Sequence, residues 1–308
     1  MTSVALCTYN GENYIRKQID SILNQTVKVD EIVVCDDGSA DCTLQIIDAM
    51  ASATDTTIRV YRNETTLGPA RNFQKAINLC KGDIVFLSDQ DDIWSSEKVA
   101  IIKDYFNKNP NIDTVFTNAT LINEDGTALK KKLWDYCFDE EVKTLFDAGL
   151  AFDCFAYGNH ATGATMAIRK QKLPNINYNP NFLHDHALAV LAASSDSLGY
   201  IEQCLISYRL HGKQVCGISK AAPITWYDLT HPMQEVTALP LQRDKKNCLE
   251  FNKIRLSTRK HLFGPIEILF MHKKYRRLYN RAYSVVMKMD IQASINHKLQ
   301  HLSFKRHK

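Results

Sequence analysis

Three carboxylates stand together in Ser88-Asp89-Gln90-Asp91-Asp92, directly after the apolar run Asp83 to Leu87 (DIVFL). Carboxylates gathered at one strand end repel each other unless a cation neutralises them. An all-oxygen set of this kind suits Mg²⁺ or Mn²⁺, with phosphate oxygens completing the shell. The plain alternative is a solvated acidic turn in which Asp92 caps the following helix. A second acidic cluster, Asp36-Asp37-Gly38-Ser39, closes the run Glu31 to Cys35 (EIVVC). A carboxylate there can accept from a nucleobase imide N–H or a ribose hydroxyl. An Asx turn with a helix cap at Ser39 or Asp41 uses the same residues. The alternating ligand spacing of an EF-hand loop is absent.

Arg71 follows Leu67-Gly68-Pro69, on the first turn of an expected helix. Its planar donor fork suits a diphosphate, although an exposed helical Arg is also ordinary. His184-Asp185-His186 precedes the apolar run Ala187 to Ala193. Asp185 there is either a general base with its pKa set by its neighbours or an acid in the first turn of a helix. Tyr208-Arg209-Leu210-His211-Gly212 offers His211 as a metal or phosphate ligand, or as a structural histidine.

The elements that must position these groups alternate. Ser3 to Cys7 is a short apolar run that predicts a buried strand, and Glu31 to Cys35, Ile58 to Tyr61 and Asp83 to Leu87 read as the second, third and fourth strands. Helical spacing lies between them: Ile15, Ile19, Ile22 and Leu23, then Leu44, Ile46 and Ile47, then Pro69 to Cys80 with Pro at a tolerated first-turn position. A helix near Glu97 to Asn107 and a strand near Thr114 to Phe116 follow. Such alternation predicts a mostly parallel α/β sheet flanked by helices, with its ligand crevice beyond the carboxyl ends of the strands. Thr8-Tyr9-Asn10, Asp36-Asp37 and Asp89-x-Asp91-Asp92 all fall at those ends. Past about Asn118 the alternation breaks down: Asn123 to Gly126 is a turn signal, residues 130–160 read as irregular, and Thr165 to Ile168 and Leu205 to Tyr208 read as further strands. From about Trp226 the pattern is helical to the end.

Taken together these segments resemble the family 2 inverting glycosyltransferases, which have the GT-A fold, and the rhamnosyltransferase-like bacterial branch in particular. The resemblance covers roughly residues 3–215. It is carried by V-A-L-C-T-Y-N-G-E-N-Y-I, S-I-L-N-Q-T, I-V-V-C-D-D-G-S-A-D-C-T, G-P-A-R-N-F and V-F-L-S-D-Q-D-D-I-W in that order. G-A-T-M-A-I-R, H-D-H and Y-R-L-H-G-K-Q-V-C-G match more loosely. The resemblance implies that Thr8 and Asp37 hold the nucleobase with Asn10 lining the pocket, that Arg71 contacts the nucleotide, and that Asp89 approaches the ribose. It implies Asp91 as a ligand of Mn²⁺ or Mg²⁺, His211 as a further metal or diphosphate contact, and Asp185 as the catalytic base. His184 and Lys213-Gln214 depart from the family pattern, which bears on sugar and acceptor specificity. The expected donor is a UDP- or dTDP-sugar, dTDP-rhamnose included, and the acceptor a hydroxyl of a glycan or lipid-linked saccharide in cell-surface polysaccharide synthesis. Residues 1–225 would form the catalytic domain, with 1–118 binding nucleotide and 119–225 carrying acceptor and base. Residues 226–308 would form a helical basic extension.

Two other readings use the same residues. D-x-D after a buried strand also marks haloacid-dehalogenase-like phosphatases, but Ile93 stands where that motif expects Thr or Val, and the D-x-D is on the fourth strand. A non-catalytic nucleotide- or membrane-binding protein on the same fold would not need both Asp91 and Asp185. No G-x-G-x-x-G follows the first strand, which argues against a dinucleotide-binding dehydrogenase.

The formal charge of +4 is uneven. Phe251 to Lys308 holds fourteen Lys and Arg against two acids, Glu267 and Asp290, a charge of +12 that leaves −8 elsewhere. Nine cysteines without a C-x-x-C pair read as reduced, and no apolar run reaches the roughly 18 residues of a membrane span. A cytoplasmic protein is expected, peripheral on the inner face of the plasma membrane, with no nucleic-acid partner and with a homo-oligomer compatible. Within Phe263 to Met289, Lys273, Lys274, Arg276, Arg277 and Arg281 interleave with large apolar residues, a pattern suited to an anionic membrane interface or to packing on protein. Each Lys or Arg at an anionic leaflet contributes on the order of 1 kcal/mol. The full chain is expected to co-sediment with anionic but not neutral liposomes, and a chain ending at Leu249 with neither. Equal behaviour of the two chains would leave the segment a packing role only.

Overall fold

A computed structural model describes residues 1–172, 183–212 and 214. The N-terminal part alternates as expected: β1 (Thr2–Thr8), α1 (Ile15–Leu23), β2 (Glu31–Asp36), α2 (Thr43–Ala51), β3 (Thr57–Arg62), α3 (Pro69–Leu79) and β4 (Ile84–Ser88). Then come β5 (Ile93–Trp94), α4 (Lys98–Lys108), β6 (Thr114–Ile122), β7 (Ala128–Lys132) and α5 (Trp134–Cys137). The remaining described elements are α6 (Glu140–Leu145), α7 (Ala151–Tyr157), β8 (Ala167–Arg169), α8 (His184–Ser194) and β9 (Leu198–Arg209). The basic stretch and the helical extension expected from Trp226 onward lie outside the described residues.

The strands join in one sheet of order β3-β2-β1-β4-β8-β6-β9-β5, with β7 paired to β6. The half β3-β2-β1-β4 is parallel, in register Val4↔Ile32 and Val4↔Phe86 across the centre. β8 then runs antiparallel to both β4 and β6, and β9 parallel to β6. Every residue of β1 and β2 is buried, which is why these strands read as unbroken apolar runs: helices cover both faces. Ile15, Ile19 and Ile22 of α1, Phe73, Ala76 and Ile77 of α3, and Val99, Ile102 and Phe106 of α4 supply the inward faces. Glu31 is a charged group inside this core. Burial would push its pKa up, but Ser3, the Lys81 N–H and the Arg59 fork (2.6 Å) hold it below the usual carboxylate value.

The chain divides into two compact units, residues 1–139 with 157–234, and residues 140–156 with 235–308. The sheet belongs to the first. The expectation that residues 130–160 are irregular is corrected: α5, α6 and α7 occupy most of the segment. Their cues are short because α5 is a single turn. It is held by Trp134, whose ring meets Phe116 and Phe138 and whose indole N–H donates to the Thr117 carbonyl. In the second unit Gly149 adopts φ 87° and breaks the helical path between α6 and α7. β6 is longer than its apolar start suggests. Asn118 interrupts the pattern, and its side-chain oxygen accepts from the Ala119 and Trp134 N–H groups where the register against β9 shifts.

Gly82 sits where the turn into β4 crosses the start of β1. A Cβ there would lie 2.7 Å from the Ser3 nitrogen and 2.9 Å from the Met1 carbonyl oxygen. Gly82→Ala forces main chain apart, so the urea midpoint is expected to fall by the equivalent of about 1–3 kcal/mol. An unchanged midpoint would show that this crossing is loose.

Candidate functional site

The chain leaves β1 for β2 and β3 on one side and returns to β4 on the other, so the carboxyl ends of β1 and β4 form a topological switch point. Gln90, the middle residue of the D-x-D, clasps Tyr9 across this point: its side chain accepts from the Tyr9 N–H and donates to the Tyr9 carbonyl, both at 2.9 Å. A Cβ on Gly11 would lie 2.1 Å from the Gln90 side-chain oxygen, so any larger residue there must turn Gln90 aside and break the clasp. The Tyr9 ring remains 50% exposed at the mouth of the switch point.

At the end of β2 the two aspartates do different work. Asp36 forms the Asx turn, accepting from the Gly38 and Ser39 N–H groups, the Ser39 hydroxyl and the Thr8 hydroxyl. Thr8 is therefore buried with its proton given to Asp36. Asn10, in the left-handed region at φ 49°, receives the Ser39 hydroxyl oxygen at its own N–H and accepts from the Ala40 N–H. Asp37 accepts from the Asn63 amide and from the Leu67 and Gly68 N–H groups at 2.7 to 2.9 Å. A carboxylate has about four acceptor positions, so one stays open for a further donor. Asp37 also pins the residues that start α3, whose first turn presents Arg71 exposed to solvent. Helix α2 begins only at Thr43, where Asp41 accepts from the Thr43 N–H and hydroxyl.

The acidic cluster lies at the end of β4. Asp91 Oδ2 is 2.8 Å from His211 Nε2. Asp92 does not cap α4, whose first residue is Lys98; it accepts from the Arg209 N–H at 2.9 Å while its other oxygen is buried without a partner. Burial, then Asp91 and Asp185, push the Asp89 carboxyl up to about 8. Burial, then Asp91 and Asp89, raise Asp92 as well. Beneath them Lys98 is fully buried, its ammonium 4.0 Å from the Trp94 ring centre and 2.8 Å from the Ala164 carbonyl oxygen. Burial brings Lys98 down to about 7, opposed by Asp92 and Asp89.

Asp185 lies in the first turn of α8, nearly buried, and accepts from the Gly163 N–H at 3.1 Å. Gly163 opens the single turn Gly163–Thr165 that leads into β8, and the neighbouring Ala164 carbonyl is the acceptor for Lys98. His184 stacks on Phe73 of α3 at 3.8 Å with both ring nitrogens buried and unpartnered, and burial keeps it neutral by lowering its pKa. α3 and α8, bearers of Arg71 and Asp185, are thereby packed together. Residues 89, 91, 185 and 211 are joined through this network, as are 8, 10 and 37; Arg71 is not drawn into it and stands exposed on the first turn of α3. Gln90, Lys98, Gly163 and Arg209 are supports that pattern reading passes over. Lys98 did leave a signal: it stands at i−4 and i−8 from Ile102 and Phe106, on a face that should be apolar.

Residues 3–172 match the family model of Glycosyl transferase family 2. The chain belongs to this family. An uncharacterised glycosyltransferase of Haemophilus influenzae is 25% identical over 94% of this chain and 87% of its own length. The chondroitin synthase of Escherichia coli is 30% identical over 42% of this chain, which spans 18% of that protein. The crystal structure of S. aureus TarS 1-349 in complex with UDP superposes with TM-score 0.52 and 19% identity, over 68% of this chain and 60% of that one. That likeness and the family match make the fold GT-A: a curled mixed sheet with a parallel nucleotide-binding half, flanked by helices. The chain is a glycosyltransferase, with a nucleotide-sugar donor and a glycan acceptor as the family implies. Among the described residues no helix is long and apolar enough to cross a membrane.

A Cβ on Gly163 would lie 2.3 Å from His184 Nε2. Gly163→Ala must open the His184–Phe73 stack and shift the N–H that holds Asp185. A displacement near 1 Å costs about 10²-fold in rate when it falls on a reacting group. Transfer by this variant is expected to drop on that scale with UDP affinity within a few-fold of the wild type, measured by single-turnover assay and calorimetry. Full transfer would show that the turn does not hold Asp185.

Proposed function

We propose that this glycosyltransferase inverts the anomeric centre in a single displacement, with Asp185 as base and a divalent cation at Asp91 and His211. The observation that carries the reading is the 2.8 Å approach of His211 Nε2 to Asp91 Oδ2 at the switch point, beside the buried Asp89 and Asp92 carboxyls. Carboxylate oxygen and imidazole nitrogen are both donors to Mn²⁺ or Mg²⁺. Among the described residues no three such side chains converge, so diphosphate oxygens and water are needed to complete the shell. A bound cation supplies offset for the charge that builds on the departing diphosphate.

The chain's own residues do the rest. Tyr9 offers an exposed ring face to a nucleobase, and Asp37, with one acceptor position open, takes an imide N–H; Asn10 and Thr8 shape that pocket. Arg71, on the first turn of α3, bonds phosphate oxygens with its fork. Asp89 meets the ribose. Asp185, oriented by the Gly163 N–H, removes the acceptor proton as oxygen attacks, a contribution of about 10²–10⁴-fold. No covalent enzyme intermediate is required. Residues 1–118 serve the nucleotide and 119–225 the acceptor. The UDP bound by TarS supports a pyrimidine nucleotide; UDP- and dTDP-sugars, dTDP-rhamnose among them, are the donors to try first. A lipid-linked or polymeric saccharide acceptor, and a membrane-peripheral location through the basic segment 226–308, fit this reading.

Asp91→Asn is expected to abolish transfer, and chelator to do the same to the wild type. Asp185→Asn is expected to stop transfer with nucleotide affinity unchanged. Activity that survives excess chelator would sink the cation; donor affinity that falls as far as transfer in Asp185→Asn would make that residue a binding group instead.

A further inference from the structure

Arg209 ends β9 with 1% of its surface exposed. Its guanidinium is directed wholly to main-chain oxygens: Nε donates to the Asp91 carbonyl at 2.7 Å, and Nη1 to the Asn123 and Glu124 carbonyls at 3.2 and 2.9 Å. Its own N–H donates to Asp92 Oδ1, and its carbonyl accepts from the Gln214 amide. The guanidinium also lies 5.3 Å from the Tyr14 ring centre, and the far side of the arrangement is closed by His211, 4.8 Å from that same ring. Tyr14 in turn donates to Glu124 at 2.9 Å. Four chain segments thus meet on one buried cation: the Asp91 turn, the β6–β7 turn, the end of β9 and the start of α1.

Burying a guanidinium is costly unless its donors are satisfied, and an apolar side chain would fill the space more cheaply. Carbonyl acceptors, unlike a side-chain carboxylate, fix the path of the backbone. We propose that Arg209 is a positioning residue for the cation and diphosphate site: by tying the Asp91 main chain to the end of β9 it presets the approach of His211 to the Asp91 carboxylate. This rests on the reading of Asp91 and His211 as the cation-holding pair. Electrostatics alone makes the opposite forecast, because a buried positive charge beside the site repels a divalent cation, and its removal would tighten binding.

The test is Mn²⁺ titration in the presence of saturating UDP, with free Mn²⁺ read by electron paramagnetic resonance, on wild type, Arg209→Met and Arg209→Lys. Partners that orient a metal ligand typically cost about 10–100-fold in metal affinity when lost. Both variants are expected to weaken Mn²⁺ by that factor, Arg209→Lys included, since an ammonium cannot reach three carbonyls at once. A role limited to stability would lower the melting temperature and leave the affinity of the folded protein unchanged. Should neither Arg209 variant fold, Tyr14→Leu carries the test, with weakening of Mn²⁺ again expected as the ring between Arg209 and His211 is lost. Equal or tighter Mn²⁺ binding by a folded Arg209→Met, or unchanged affinity in Tyr14→Leu, overturns the proposal while leaving the cation reading in place. A wild type that takes up no Mn²⁺ with UDP removes that reading, and this proposal with it.

Discussion

Asp89, Asp91 and Asp92 share the end of one buried strand, and Asp185 is near enough to raise Asp89 further. Like charges at such spacing in a low dielectric are strongly unfavourable, and the fold is arranged around relieving them. Lys98 is placed under the cluster although a buried ammonium is itself driven toward neutrality, to about 7. Arg209 is placed behind it. Beside them one Asp92 oxygen is buried without a hydrogen-bond partner, and burial together with the neighbouring carboxylates keeps the Asp89 carboxyl raised. The cation proposed at Asp91 and His211 would place positive charge directly against this cluster.

The arrangement also explains why the sheet changes character at β4. The parallel half β3-β2-β1-β4 can present three strand ends to one ligand, which suits a nucleotide recognised by main-chain turns and carboxylates. It cannot bring a group from far along the chain to the same place. β8, antiparallel on β4, does so: the turn Gly163–Thr165 before it meets Lys98 from below and Asp185 from above. β9, parallel to β6, then delivers Arg209 and His211 to the other side of Asp91. The nucleotide side is local in sequence, and the reacting side is assembled from distant segments.

That division sets what was legible in the sequence. The strands to β4, the polar clusters at their ends and the helices between them follow from apolar runs and helical spacing, because β1 and β2 are buried on both faces and their neighbours are strictly amphipathic. The family resemblance supplied the candidate roles of Asp91, Asp185 and His211. Beyond Asn118 the strands expected at Thr165 to Ile168 and Leu205 to Tyr208 fall within or overlap β8 and β9, but the other signals weaken for physical reasons. β6 carries an Asn whose side chain replaces main-chain partners at a register shift, α5 is one turn long, and β8 has three residues. Gln90 and Arg209 were not legible as supports, since their importance lies in carbonyls and N–H groups that no residue type announces; Lys98 showed only as a charge on an otherwise apolar helix face. Thr8 was legible as a site residue but not as a partner of Asp36, which needs the pairing of β1 with β2.

The relay through Ala164 and Gly163 has a consequence for how the two chemical tasks are joined. Lys98 senses the charge of Asp89 and Asp92 and holds the Ala164 carbonyl; the adjacent N–H of Gly163 holds Asp185. Under the proposed reading a cation and diphosphate would change the field at Lys98, and only the short turn Gly163–Thr165 separates the carbonyl that Lys98 holds from the N–H that holds Asp185. The stack of His184 on Phe73 ties the same helix start to α3, the helix whose first turn carries Arg71. Asp185 is therefore fastened both to the turn that holds Lys98 beneath the acidic cluster and to the helix that carries Arg71, and the base role proposed for it would draw on that fixed orientation.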